Sequence, residues 1–239
     1  MLYSDEQLYD YIWGLVACRY TYGTTILQSS TETHVQHGYP ISNRIHEFFV
    51  KQDHLQDFLQ QSIPTEHWLT IISSTSIPPI IPGYQFQTNE FLMELETNED
   101  LPSSHKYSPL STKIEQVTSY IEAQEINTHF QVKAINLEQL EQFGIQQYVI
   151  YDEHLPIGFG RISSTRKSNR SCLDNVYIEP NYRRQGLATK LCIAIVKQSK
   201  NGSTGCILAS SEMGYQLYIN LGFKQIAYLY SYETEQSVH

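Results

Sequence analysis

Apolar residues in "SDEQLYDYIWGLVACRY" follow helical spacing. Leu8, Tyr11, Ile12 and Leu15 fall at i, i+3, i+4 and i+7 behind Ser4 or Asp5 as N-cap. "NRIHEFFV" and "HWLTIISS" read as strands, with the short helix "DHLQDFLQQS" between them. "PGYQFQTNEFLMELE" alternates at Phe86 and again through Phe91, Met93 and Leu95, which predicts a paired strand after a turn. Further along, "IEQVTSYIEAQ" reads as a helix, and "LEQLEQFGI" as another closed by Gly144. "QQYVIYDEHLPIGFGRISST" is a strand, a turn and a strand, and "SNRSCLDNVYIEP" is a strand stopped by Pro180. In "RQGLATKLCIAIVKQSKN", Leu187, Leu191, Ala194 and Ile195 mark a helical face, with Gly202 beyond the end. "GCILASS", "MGYQLYINLGF" and "KQIAYLYSYE" complete the pattern as strand, helix and strand. A meander passing into strand–helix–strand–helix–strand implies an α/β or α+β fold, with a mixed sheet flanked by helices.

"ETNEDLPSSHKYSPLS" (Glu96 to Ser111) is polar, holds two prolines and has neither period. It divides the chain into an N-terminal α/β unit, 1–100, a linker, 101–111, and a second unit, 112–239. Charge changes across it. Residues 1–105 carry 3 basic and 13 acidic side chains, and residues 106–239 carry 13 basic and 12 acidic. A net charge of −9 without clustered lysine and arginine argues against a nucleic-acid surface. An acidic half suits a cationic ligand, or a solubilising face. No apolar run reaches a membrane span, and the acidic N-terminus is unlike a signal peptide. The four cysteines, Cys18, Cys172, Cys192 and Cys206, have no zinc spacing. Buried reduced thiols in a cytoplasmic protein without a metal are expected.

The chemistry concentrates at "IEPNYRRQGLATKL". The first turn of a helix carries amides without partners and the positive end of the helix dipole. Glycine lets a ligand approach the backbone, and Arg183 and Arg184 add charge. This suits a pyrophosphate, although a surface helix with two solvated arginines has the same composition. A P-loop is absent. Gly158 and Gly160 lie inside a strand pattern, without the third glycine of a dinucleotide fingerprint.

"RRQGLA", Arg183 to Ala188, resembles the [RQ]-x-x-G-x-[GA] acyl-CoA loop of the GNAT N-acetyltransferase superfamily. "LYINLGF", Leu217 to Phe223, resembles its L-Y-x-x-L-G-F signature. The resemblance covers roughly residues 130–239. It implies the GNAT acyl-CoA N-acyltransferase fold, with "NVYI" splayed from "CILAS" to admit pantetheine. Val176, Tyr177 and Ile178 would offer backbone groups to that arm, one amide also polarising the thioester carbonyl. Arg183, Arg184, Gln185, Gly186, Leu187, Ala188 and Thr189 would form the acyl-CoA loop, with the amides from Arg184 to Thr189 holding the pyrophosphate. Ser211 stands where many members have a pantetheine-bonding asparagine, or is simply a helix N-cap. Tyr218 would be the general acid for the leaving thiolate, against the reading of a core tyrosine. Asp174, taken to share the face of Val176 two residues on, is a candidate base; so are Glu179 and Glu212, while His154 lies in a turn. Asp174 as a polar strand residue bonded to its neighbours is the other reading.

The implied activity is direct acetyl transfer from acetyl-CoA to a primary amine, with an acidic first half leaning to a small cationic acceptor. A non-catalytic acyl-CoA-binding or regulatory module, and a structural protein with chance motifs, are the alternatives. The first half is a degenerate second GNAT-like unit or an unrelated cap. Oligomeric state has no signature in the sequence.

Overall fold

The structure is a computed structural model that describes residues 3–19, 23–41, 44–96, 101–102, 112–142, 144–164, 169–199 and 204–235. Most of the proposed linker lies outside these residues. The first half runs α1 (Asp5–Arg19), β1 (Thr25–Gln28), β2 (Glu32–Ile41), β3 (Arg44–Lys51), α2 (Leu55–Leu59), β4 (Trp68–Ser73) and β5 (Tyr84–Glu96). The second runs β6 (Thr112–Gln116), α3 (Tyr120–Phe130), β7 (Ile145–Asp152), β8 (Leu155–Ser163), β9 (Ser171–Ile178), α4 (Leu187–Ser199), β10 (Gly205–Ser210), α5 (Glu212–Asn220) and β11 (Lys224–Thr234).

All the strands join one sheet in the order β1-β2-β3-β4-β11-β5-β10-β9-β8-β7-β6. The order reads as a duplication. In each half an antiparallel run ends in a parallel pair, β3 with β4 and β9 with β10. The last strand of each half has crossed over: β11 pairs with β4, and β5 pairs with β10. β5 and β11 then pair antiparallel with each other, Phe91 opposite Tyr228. Those two residues also border Ser210 and Ser73, the ends of β10 and β4, so the halves are related by a local two-fold at that pair. The exchange buries both strands mid-sheet and removes two edges.

Alternation assigns the faces. Leu173, Leu208, Met93 and Leu95 pack with Leu187, Leu191 and Ile195 beneath α4 and α5. Val35, Phe49, Ile72, Leu92, Ile207 and Leu229 pack on the opposite face against Leu8, Tyr11, Ile12 and Leu15 of α1, the positions expected from its spacing. Polar bonds fix α1 at both ends. Arg170 pairs with Asp10 at 2.8 Å and with Glu94, and Gln139 Nε2 donates to the carbonyls of Ala17 and Cys18 at 2.9 and 3.0 Å.

Two elements differ from expectation. "IEQVTSYIEAQ" is the strand β6 followed by the start of α3. Ile114, Val117 and Ile121 imitate a helical stripe across the junction, but Ser119 caps α3 by accepting from Glu122 N–H at 3.5 Å. In "LEQLEQFGI" only a 3-10 turn forms, Leu137–Gln139, because Gln139 is drawn under α1 to cap its carbonyls. The four cysteines are buried and unbridged, as expected.

Candidate active site

The parallel pair β9–β10 is joined at only two positions, Ser171 with Cys206 and Cys172 with Ile207. Beyond them the strands part. β10 ends at Ser210 while β9 continues to Ile178, leaving a slot at the carboxyl ends of both. The equivalent pair of the first half, β3–β4, is joined at five positions and stays closed.

The parting begins at a bulge. Arg161 faces Asp174 and Phe159 faces Tyr177, so β9 holds one residue more than β8, and Asn175 takes a left-handed φ of 56°. The extra residue changes the facing. Val176 packs beneath α4 and Ile178 joins the same core, whereas Tyr177 stacks on Phe159 on the α1 side. Asp174 shares the face of Cys172 and Tyr177. The expectation that it shares the face of Val176 is therefore overturned: two residues apart means one face only where the pleat is regular.

Asp174 is bonded on that face. Arg161 donates to its Oδ2 from Nε at 2.9 Å and from Nη2 at 2.6 Å, and Arg19 approaches Oδ1 at 3.6 Å. Burial alone would raise its pKa. The charges of Arg19 and Arg161 and the Arg161 hydrogen bonds outweigh burial and hold the carboxyl below its ordinary value. Neither arginine carried a local sequence signal, since each comes from a different element. Of the other carboxylates, Glu179 donates its amide to Ile157 O at 2.9 Å, and Glu212 lies exposed in the first turn of α5. His154 is exposed in the β7–β8 turn, as expected.

Between β9 and α4 the chain makes a 3-10 turn, Pro180–Tyr182, and then two left-handed residues, Arg184 at φ 63° and Gly186 at φ 75°. The first helical bond is Lys190 N–H to Gly186 O at 3.0 Å. The amides of Arg184, Gln185, Gly186, Leu187, Ala188 and Thr189 have no partner among the described residues. Leu187 is buried under the sheet, while Ala188 and Thr189 are half-buried. Arg184 is exposed. Arg183 is turned back: its Nε donates to Ile178 O at 2.8 Å, and its guanidinium lies 5.6 Å over the Tyr177 ring. It thus occupies one backbone acceptor that the resemblance gave to pantetheine. The glycines of β8 serve packing. A Cβ on Gly158 would lie 2.5 Å from Tyr177 O, and one on Gly160 2.9 Å from Ile195 Cδ1.

Tyr218 extends from α5 into the core beneath α4, 8% exposed, its ring edge-on to Phe223 at 5.6 Å. Its hydroxyl has no hydrogen-bond partner among the described residues. Burial, followed by the nearby Cys192 and Cys206, raises the phenol well above its ordinary value, so it stays protonated. Ser211 caps α5, accepting from Gly214 N–H at 3.4 Å. No described group of His, Cys, Asp and Glu could hold a metal ion, and no described helix is long and apolar enough to cross a membrane.

Comparison with known proteins agrees with this geometry. Residues 144–225 match the acetyltransferase (GNAT) domain family. Among solved structures, a GCN5-related N-acetyltransferase from Kribbella flavida superposes with a TM-score of 0.62 at 12% identity, over 95% of this chain and 94% of that one. One from Sphaerobacter thermophilus gives 0.55 at 12% identity, over 87% and 82%. A tandem GNAT protein from the clavulanic acid biosynthesis pathway gives 0.57 at 14% identity, over 94% and 88%, in keeping with two halves. These similarities show the fold. A search among curated proteins finds no match.

Proposed function

We propose that this chain, whose residues 144–225 form an acetyltransferase (GNAT) domain, transfers an acetyl group from acetyl-CoA to a primary amine by direct attack. The observation that carries the reading is the run of unpartnered amides from Arg184 to Thr189 at the mouth of α4, beside a slot opened in the sheet. The family uses acetyl-CoA, and this chain's residues fit it. The amides and Arg184 bind the diphosphate; Val176 and Tyr177 offer backbone to the pantetheine arm; Ser211 offers a hydroxyl that already caps α5.

In the transfer step the amine nitrogen bonds to the thioester carbon and the C–S bond breaks. Tyr218 gives its phenolic proton to the departing sulfur and regains one from solvent, while the new amide nitrogen loses its proton to water. A strand amide bordering the slot stabilises the carbonyl oxygen as it gains charge. Asp174 takes no part as base in this scheme. Its carboxylate is committed to Arg161 and Arg19, and it ties α1 to the sheet. We place the acyl-transfer chemistry in residues 112–239. The first half, with β3–β4 closed and a five-residue α2 where α4 should be, is read as a degenerate copy that walls the acceptor side. Four buried thiols suit a reducing cytoplasm.

The test is calorimetry with acetyl-CoA followed by free-thiol release over a panel of amines. Micromolar binding with amine-dependent thiol release is expected. Binding without turnover would favour the module that binds acyl-CoA and does no chemistry. Absence of binding would end the reading.

A further inference from the structure

The slot has a floor as well as a mouth, and the second half does not build that floor alone. β9 and β10 part just beyond the pair Cys172–Ile207, whose side chains lie on the α1 face and are at most 1% exposed. α1, which belongs to the first half, crosses the sheet at this fork. A Cβ on Gly14 would lie 2.3 Å from Cys172 Cβ, so only glycine lets the helix sit so low. Ser163 Oγ donates to Gly14 O at 2.9 Å and holds the crossing. One turn on, Cys18 is 0% exposed, and its thiol donates at 3.8 Å to Cys172 O, the carbonyl at which the parting begins. Arg19 then reaches Asp174, further up β9. The last turn of α1 thus runs from the fork up the parted strand. After α3 the second half has only the 3-10 turn Leu137–Gln139, and Gln139 gives its amide protons to the carbonyls of Ala17 and Cys18.

The length of the slot decides what comes to lie at its floor. β9 is unpaired with β10 from Leu173 to Ile178, roughly 17 Å at about 3.3 Å per residue once the bulge is allowed for. The arm of coenzyme A from diphosphate to sulfur is as long as about four extended residues, roughly 14 Å. With the diphosphate at the amides past Ile178, the sulfur stops above the fork and the acyl carbons fill the stretch in front of Cys172 and Ile207. On the helix face that stretch is backed by Leu173, Leu208 and Tyr218. On the α1 face it is backed by Ile207, Ala209 and the thiol of Cys18.

We infer that the last turn of α1, through Cys18, closes the acyl end of the slot and restricts the donor to the acetyl thioester. This rests on the acetyl-transfer reading and adds the residue that sets acyl length and the half of the chain that supplies it. A longer acyl group has to displace Cys18. The helix cannot yield there, because Gly14 lies against Cys172 below it and Gln139 holds its last carbonyls.

Calorimetry with CoA and with acetyl-, propionyl- and butanoyl-CoA tests this on the full chain without an acceptor. In the parent, acetyl-CoA should bind as tightly as CoA, and each added methylene should weaken binding by roughly tenfold, as overfilling a packed site does. Cys18→Ala should recover most of that tenfold for propionyl-CoA. Cys18→Val, the opposite change, should weaken acetyl-CoA by roughly tenfold against an unchanged affinity for CoA, and either folded variant decides the matter. Cys206→Ala loosens the core below the fork, where Cys206 pairs with Ser171, and should leave the preference as it is. Butanoyl-CoA bound by the parent as tightly as acetyl-CoA would overturn the inference and leave acetyl transfer standing. So would all four ligands shifting together in the Cys18 variants, a preference unmoved by them, or the same recovery in Cys206→Ala. Failure to bind CoA at all would instead remove the reading beneath it.

Discussion

Replacing Ala188 by proline tests the amide seat directly. Ala188 is in the first turn of α4, where its N–H donates no intrahelical bond and proline's ring meets no helical carbonyl four residues back. The substitution therefore removes one donor from the run and little else. A hydrogen bond to a charged acceptor contributes about 1.5–3 kcal/mol. That corresponds to a loss of roughly 10- to 150-fold in affinity for CoA. Strain at Leu187, the residue preceding the new proline, should cost no more than a few degrees of melting temperature in a chain of this size. Calorimetry with CoA gives the affinity, and S-acetylpantetheine, which lacks the diphosphate, is the control. The expected result is a weaker CoA complex with S-acetylpantetheine binding unchanged. A folded Ala188→Pro protein that binds CoA as tightly as the parent would refute the assignment of these amides to the diphosphate.

The other predictions concern the groups around the slot. Tyr218→Phe should lower kcat by about 100-fold or more, the usual worth of a general acid, with CoA affinity kept; equal kcat at saturation would remove the role. Because burial raises the Tyr218 phenol, it remains protonated, so kcat in the parent should show no loss from its ionisation up to about pH 10. Asp174→Asn should act on stability. It leaves Arg161, only 13% exposed, without its carboxylate, at about 3 kcal/mol or roughly 10 °C of melting temperature. The depressed Asp174 pKa contributes stability that is present above the ordinary carboxylate value and is lost as pH falls through the folded-state value. The parent's extra stability over Asp174→Asn should accordingly shrink below about pH 4, read by denaturant midpoints. A variant of parental stability with kcat abolished would restore Asp174 as the base. Gly158→Ala forces a Cβ to 2.5 Å from the Tyr177 carbonyl, a backbone atom that cannot swing aside. It should cost about 1–3 kcal/mol and weaken acetyl-CoA binding by shifting β9, whereas an unchanged melting curve would show that the strand yields freely.

The parts of the site that lie in one stretch of chain were legible. The loop Arg183–Thr189, the helix after it and the stretch Leu217–Phe223 depend on neighbours within a few residues. Their spacing, glycine and motif order carried the information. The start of α3 was misread: the stripe of Ile114, Val117 and Ile121 carried one helix across the junction, although Ser119 and Glu122, three residues apart, form the capping pair that starts α3.

Other features had no local trace. The bulge at Asn175 is a relation between β9 and β8, and it turned Asp174 from a neighbour of Val176 into the partner of Arg161 and Arg19. The ion pair Arg19–Asp174 joins residues on α1 and β9, from opposite halves of the chain.

By itself the sequence determined the glycine turn before α4, the tyrosine helix and the order of elements from β7 to β11, because backbone geometry and side-chain periodicity are set over a few residues. Only the tertiary structure decided that β5 and β11 trade places and that β9–β10 opens while β3–β4 stays closed. Strand pairing is settled between segments that meet only when the whole sheet assembles. An alternating pattern tells a strand which faces it has and leaves open which partner lies beside it.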